Sequence, residues 1–460
     1  MRRAGVEEIP DEEYERVLDR VCAIDVAKES GEVCVRVSRG GRRYSRVWTV
    51  KATTRAILEL GDQLAREEIE KVTLESTSDY WRIFFYLLEA CGLDVQLVNA
   101  RDVKNVPGRP KTDKHDSVWL AKLTERGMLR PSFVPPREIR VLRDYTRMRV
   151  DLVRDRTRHY QRLEKLLEDS LIKVSAVAST LTTVSVRDMV DALIRGERDP
   201  RKLAGLARGR MRHKHDALVE ALTGQFDEHH AELAQILLGQ IDALDIEIDR
   251  ITARINQLIA DLPAAQPPAA DTDDGHTDRA HPGDDPTTQP QPDAGRPGLP
   301  AVQRLAQIPG ISIEGAQVIL AEVGTDMTRF PTAQHLVSWS KLCPRTIQSG
   351  ATHKTGRTPK GNPYLKGILG QAAGAAARTD TFLGERYRRV VKRRGKGKAL
   401  VAVARSTLTI VWHLLADPST TFRDLGPDYY TSRIDKERKI RNHIRQIEAL
   451  GYNVTLAPAA

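Results

Sequence analysis

Residues 263–298 contain no Leu, Ile, Val or aromatic side chain and are rich in Pro, Ala, Asp, Thr and Gln. Such a segment cannot bury enough apolar surface to offset the entropy of ordering it, so any core must form from residues on either side of it. Its acidity, set between basic flanks, predicts a disordered linker that stays off nucleic acid. At 460 residues the chain is long enough for two or three domains with cores of their own. The pattern divides it into an α/β region at 16–135, a helical region at 136–262, the linker at 263–298, a second compact domain at 299–420 and a helical tail at 421–460.

The first region alternates strand and helix signals. Val21–Ile24, Val33–Val37 and Val47–Val50 are apolar runs rich in β-branched residues, and the short gaps between them predict antiparallel hairpins. A helix capped by Thr53 or Thr54 and carrying Ile57, Leu58, Leu60 and Leu64 follows, then a strand at Val72–Leu74, a helix at Tyr80–Ala90 closed by Gly92, and a strand at Val95–Val98. After a basic Gly/Pro loop, the apolar spacing of Val118, Leu120 and Leu123 predicts a helix starting near Thr112. Three strands, helix, strand, helix, strand, loop, helix is the order of the ribonuclease H-like fold, a mixed sheet with helices on both faces.

Four acids fall at telling places in that order. Asp25 ends the run Val21–Ile24 and Glu75 ends Val72–Leu74, each at the C-terminal tip of a strand; Asp113 and Asp116 sit three apart and share one helix face. Side-by-side carboxylates repel, and a divalent cation held between them resolves the repulsion. Two ions held by such a set activate an attacking oxygen and stabilise a leaving one in phosphoryl transfer. The competing reading is an N-cap with a solvated face for the Asp113/Asp116 pair, and a degenerate domain that only binds for the whole set.

The middle region is helical and charged. Leu237, Leu244, Ile251 and Leu258 recur every seven residues, and Ile241, Ile248, Ile255 and Leu262 do so offset by four, the seam of a coiled coil. Its partner is either another protomer or the earlier helix (Ile139, Leu142, Val153, Tyr160, Leu163, Leu167) folded back antiparallel. Arg149 and Arg156 on the seam of that earlier helix favour a nucleic-acid contact or imperfect pairing. Beyond the linker, Leu305–Ile311 with the apolar helix that runs to Gly324 resembles a helix-hairpin-helix in a mainly α domain, whose turn at Gly310 can offer backbone N–H groups to a phosphate; the alternative is an ordinary helical hairpin. Ser349 precedes a Gly in a basic loop with Lys354, Arg357 and Lys360, and Arg393, Arg394, Lys396 and Lys398 belong to a dense basic run.

A net charge of +10 makes a polyanionic partner the first expectation, and Arg109 and Lys111 in the loop before Asp113 join the candidate nucleic-acid contacts. The four cysteines have no CxxC spacing, so neither a zinc site nor a disulfide framework is indicated. No signal peptide and no apolar run long enough to span a bilayer is read from the sequence, which predicts a cytoplasmic, nucleoid-associated protein without membrane contact.

The segments "AIDVAK", "LES" and "KTDKHD", with "IPGI" and a Ser-Gly pair before "KGNPYL", resemble the transposases of the insertion sequence 110 family over roughly 20–135 and 300–415. The resemblance implies a RuvC-like domain in which Asp25, Glu75, Asp113 and Asp116 bind Mg²⁺ (Mn²⁺ as the alternative), and a C-terminal domain in which Ser349 attacks DNA. It also implies a recombinase guided by a structured noncoding RNA that pairs with target and donor DNA, working as a homo-oligomer, dimer or tetramer, with a composite active site. Gln348 stands where the family often has an acidic or small residue. The alternatives are a RuvC-like junction resolvase that uses metal-activated water, and a noncatalytic nucleic-acid-binding assembly factor.

Overall fold

The computed structural model describes residues 18–39, 42–76, 78–99, 113–266, 299–344, 346–349, 352–356, 358–433 and 436–456. At 39, 76, 113–115, 264, 346–349, 352–355 and 436–439 it describes the backbone alone. Most of the linker, the loop with Arg109 and Lys111, and Arg357 lie outside the described residues. The chain forms two compact units, Met1–Pro135 and Pro136–Ala460.

The first unit is built on a six-stranded mixed sheet in the order β3-β2-β1-β4-β5-β6. β1 (Arg20–Val26), β2 (Ser30–Arg39) and β3 (Arg42–Lys51) run antiparallel in succession. β4 (Lys71–Ser76) pairs parallel with β1, and β5 (Val95–Asn99) parallel with β4. A short β6 (Pro131–Ser132), which the sequence did not announce, closes the β5 edge antiparallel. Because side chains alternate along a strand, each strand feeds two cores. Cys22, Ile24, Val33 and Leu74 face α1 (Thr54–Arg66) and α2 (Trp81–Ala90), whose Ile57, Leu64, Phe84 and Leu88 are fully buried there. Val21, Ala23, Cys34 and Val98 face the opposite side, against Leu120, Ala121 and Leu123 of α3 (Asp113–Glu125). Thr53 occupies the N-cap of α1 but makes no capping hydrogen bond with its side chain.

In the second unit two 33-residue helices, α4 (Arg137–Asp169) and α6 (Glu228–Ala260), pack along one another. Arg156 pairs with Asp245 in mid-helix, and Asp169 at the end of α4 meets His230 at the start of α6, so the two run antiparallel. The Ile241, Ile248 and Ile255 track is buried, while Leu237, Leu244, Ile251 and Leu258 are half-buried. Between them, α5 (Val184–Ile194) and shorter helices add to the core near Leu163, Leu218 and Leu238. Arg149 is not offered to a nucleic acid: it is 4% exposed, and its guanidinium donates to Gln317 Oε1 (2.6 Å) and the Glu314 carbonyl (3.2 Å).

Gln317 and Glu314 belong to α8 (Ile313–Val323), which follows α7 (Ala301–Ala306) through the turn at Gly310. α9 (Ala333–Trp339), α10 (Pro363–Ala376), α11 (Phe382–Arg394) and α12 (Lys396–Ala416) complete the helical part. Glu322 of α8 has no exposed surface. Arg147 Nε and Nη2 donate to its two oxygens (2.7 and 2.9 Å), Arg143 lies 3.3 Å away, and the Asn362 amide donates to Oε2, so one carboxylate ties α4, α8 and the start of α10. α12 corrects the reading that no stretch could span a bilayer: it is long and apolar enough by composition. Here its Ala399, Val403, Leu408, Val411 and Leu414 are buried inside the unit, and it serves as a core helix.

The serine loop is also partly regular. Thr346–Ser349 (β7) and Thr352–Thr355 (β8) form a two-stranded antiparallel sheet, a correction to the loop expected from its Gly and Thr content.

Candidate active site

Register determines which side chains can meet on the sheet. Asp25 is opposite Glu75 on the parallel neighbour β4 and opposite Glu32 on the antiparallel neighbour β2. Glu32 is in turn opposite Thr49, and Glu75 opposite Val98. Directly opposed residues point to the same face, and neighbouring strands lie about 4.8 Å apart. The row Thr49–Glu32–Asp25–Glu75–Val98 therefore crosses five strands on one face. Val98 packs in the core that α3 closes, and so do Val21 and Ala23, which share the face of Asp25 at two-residue steps. The acids consequently look to the α3 side. Glu75 is 5% exposed and Asp25 partly buried.

Two anchors fix α3 over that face. Glu125, at its C-terminal end, is held by Arg36 of β2 and by Arg43 of β3 (2.9 Å). One residue earlier, at Thr124, is a buried hydroxyl relay. Gln96 Nε2 donates to Thr73 Oγ1 (2.7 Å), and Thr73 and Thr124 hydroxyls are 2.8 Å apart. The Thr124 hydroxyl is the donor between the two, with the Leu120 carbonyl (2.8 Å) as a second acceptor within its reach. Thr73 lies two residues before Glu75, on the same face. Asp113 opens α3 and Asp116 follows one turn on, partly buried, on the helix side that carries Leu120 and Thr124. Asp25, Glu75, Asp113 and Asp116 thus all belong to this one face of the sheet or to the helix that covers it. Glu32 was not a candidate from sequence; the signal that could have found it is its place opposite Asp25 across the hairpin.

Asp25 and Glu75 side by side are hard oxygen donors of the kind Mg²⁺ or Mn²⁺ takes. Glu32 adds a buried Oε2 to which no described group donates. This donor set fits a divalent cation and offers nothing to a soft metal. Among the described residues, the group that brings three ligand atoms within 4.8 Å of one another is Asp169, His229 and His230, in the other unit. Its chemistry is that of a helix cap. The Asp227 N–H donates to His230 Nδ1 (3.1 Å), which leaves the ring proton on Nε2, 3.4 Å from Asp169 Oδ2. A nitrogen that carries its proton is not a ligand.

Ser349 ends β7 and is opposite Thr352 across the turn. Lys354 lies on β8, and Lys360 is exposed two residues before Asn362, whose Oδ1 caps α10 by accepting from Tyr364 and Leu365 N–H. Gly310 is exposed with φ +90°, its Cα packed on α10. Arg393, Arg394, Lys396 and Lys398 are all exposed where α11 meets α12. Earlier members of that basic run are paired within the unit instead: Arg388 donates to Glu385 (2.9 Å) and Arg386 to the Tyr430 hydroxyl (2.9 Å).

Comparison with known proteins falls on the same two stretches. The family model of the DEDD-type IS110 transposases, described as "Transposase", matches residues 22–172, which contain all four acids. A second, described as "Transposase IS116/IS110/IS902 family", matches residues 302–388, which contain Ser349. The chain belongs to the IS110 family of transposases. This IS110-family chain is also 35% identical over 118 residues to the "Insertion element IS110 uncharacterized 43.6 kDa protein" of Streptomyces coelicolor; the match covers 25% of the chain and 28% of the relative.

Proposed function

We propose that this chain is the transposase of an insertion sequence, a recombinase that cuts and rejoins DNA strands with Ser349 as nucleophile and a divalent cation, Mg²⁺ or Mn²⁺, held by Asp25, Glu75, Asp113 and Asp116. The observation that carries the reading is the register of Asp25 with Glu75 on the face covered by the helix of Asp113 and Asp116. The strand order, with β1 central between antiparallel β2 and parallel β4, supports a ribonuclease H-like, RuvC-like domain. The pairing of α4 with α6 supports a coiled-coil middle.

In this reading Asp25, Glu75, Asp113 and Asp116 would hold the cation. When bound, the cation would lower the proton affinity of an attacking oxygen and stabilise charge on the leaving one. Ser349 Oγ loses its proton and forms a bond to phosphorus as the phosphorus–oxygen bond to one strand breaks. The released sugar oxygen takes up a proton. The bond energy is kept in the phosphoserine linkage, so reversal rejoins strands without an external energy source. The exposed Arg393, Arg394, Lys396 and Lys398, with Lys354, Arg357, Lys360, Arg109, Lys111 and the Gly310 turn, contact nucleic-acid backbone. Target and donor DNA and a structured guide RNA are the partners, and the working form is a homo-oligomer, cytoplasmic and nucleoid-associated.

The test is a labelled-DNA incubation with protein, the noncoding RNA transcribed beside the gene, and Mg²⁺, followed by denaturation. A labelled protein that resists boiling in detergent and is lost in Ser349→Ala is expected. Cleavage by wild type with no adduct favours a water-activating resolvase, and an adduct that persists in Ser349→Ala moves the nucleophile to a neighbouring hydroxyl such as Thr346 or Thr352.

A further inference from the structure

We propose that Lys341 and Lys366, with Lys360, form a cradle for one phosphodiester group of bound DNA at the root of the β7–β8 hairpin that carries Ser349. The proposal rests on the reading that this hairpin works on DNA, and adds two lysines which that reading leaves unused. Lys341 precedes β7 and Lys360 follows β8, so the chain entering the hairpin and the chain leaving it must meet for these lysines to share a site. They meet at Gly361. A Cβ there would lie 2.6 Å from the Ser340 carbonyl oxygen, 2.9 Å from Lys366 Cε and 3.1 Å from Lys341 Cβ. Only glycine fits that approach, and it brings the stems of Lys341 and Lys366 to one backbone position beside Lys360.

Charge and backbone strain point the same way. Burial, and then the charge of Lys341, lower the pKa of the half-buried Lys366 ammonium. Lys366 Nζ donates one proton to the Pro359 carbonyl (2.7 Å), which leaves two for a ligand. The acid that reaches this loop, Glu322, is taken by Arg143, Arg147 and the Asn362 amide. Among the described residues no carboxylate pairs with Lys341, Lys360 or Lys366. Like charges held together without a counter-ion repel, and a phosphate oxygen between them offsets that cost. Lys341 also has a φ of +59°. It stands just past α9, where its N–H donates to the Ser338 carbonyl (3.0 Å) and the Leu342 N–H to the Val337 carbonyl (3.2 Å). A turn of that kind favours glycine. A lysine there bears a backbone cost, and among the described residues its ammonium makes no hydrogen bond or ion pair that offsets it.

The experiment measures binding of labelled mixed-sequence duplex DNA by the full chain across a salt series, with the melting temperature of each protein taken alongside. Lys341→Gly removes the ammonium and relieves the positive φ. It is expected to melt at or above wild type while binding DNA about 5-fold or more weakly at about 0.1 M salt, with a salt slope smaller by about 1. Lys366→Gln should weaken binding in the same way. Lys173→Gln, whose charge is already paired with Glu168, is the control and binds as wild type. A Lys341→Gly variant that melts several degrees lower assigns the lysine to the end of α9, where a cation favours the helix dipole, and overturns the proposal. Wild-type affinity and salt slope in both variants overturn it as well. So does a loss of stabilisation by inorganic phosphate with DNA binding intact, which assigns the lysines to a free anion. The Ser349 reading is judged separately. An adduct in wild type beside lysine variants that bind normally fails this proposal alone, whereas weakened variants with no adduct in wild type leave the cradle standing and fail the serine.

Discussion

Asp25 on β1 and Glu75 on β4 are exact register partners on neighbouring parallel strands, and both project from the face of the sheet that α3 covers. Two carboxylates on adjacent strands, one of them almost fully buried, repel one another, and a divalent cation between them would offset that repulsion.

Thr124→Val removes the hydroxyl that donates to Thr73 Oγ1 while preserving side-chain shape. The expected cost is about 1–2 kcal/mol, for the loss of a buried donor to Thr73 Oγ1 and the Leu120 carbonyl. Amide hydrogen exchange along α3 should accelerate by roughly 5–30-fold, and Thr124→Ser should restore the wild-type rate. Exchange unchanged in Thr124→Val would mean that the relay does not hold the helix.

Gly310 combines a positive φ of +90° with a close approach to α10: a Cβ there would lie 2.2 Å from the Ala372 carbonyl oxygen. Both features demand glycine. Gly310→Ala should destabilise the second unit by roughly 2–4 kcal/mol, from backbone strain plus overpacking, read as a lower melting temperature. A variant that melts with the wild type would show that α10 does not close on this turn.

How much of this was legible in sequence depended on how local the cause was. Asp25 and Glu75 were readable because apolar runs of β-branched residues mark strand ends, and Asp113 and Asp116 because helical spacing places them on one face. Glu32 was missed because the apolar run Val33–Val37 understates β2, which begins at Ser30, where the Ala27 N–H to Ser30 carbonyl bond tightens the hairpin. Arg149 looked like a nucleic-acid contact because its partner Gln317 is 168 residues away, and no periodicity reports a contact of that separation. The β7–β8 hairpin hid in a Gly- and Thr-rich stretch whose strand residues are short and polar.

Arg187 of α5 holds Asp242 of α6 through two hydrogen bonds, Nη1 to Oδ1 (2.5 Å) and Nη2 to Oδ2 (2.8 Å). The Arg187 hydrogen bonds lower the pKa of the Asp242 carboxyl, against a smaller effect of burial. A depressed folded-state pKa gives stability that is complete above the ordinary carboxylate range, near pH 4, and is lost as pH falls through the lowered value. The pair is partly solvated, so its contribution is within about 1 kcal/mol. Asp242→Asn should lower the urea midpoint at pH 7 slightly and narrow its fall between pH 4 and pH 2. An equal pH-dependence in both proteins would assign the acid sensitivity elsewhere.

The most direct measurement of the central claim is the melting temperature of wild type, Asp25→Asn and Glu75→Gln, each without divalent metal and with Mg²⁺. Removing one of two facing charges relieves repulsion, so both variants should melt at or above wild type when metal-free, and neither should be stabilised by Mg²⁺, whereas wild type rises with Mg²⁺ concentration as binding to the native state requires. Variants that melt lower than wild type without metal yet still rise with Mg²⁺ would contradict a metal centre at Asp25 and Glu75.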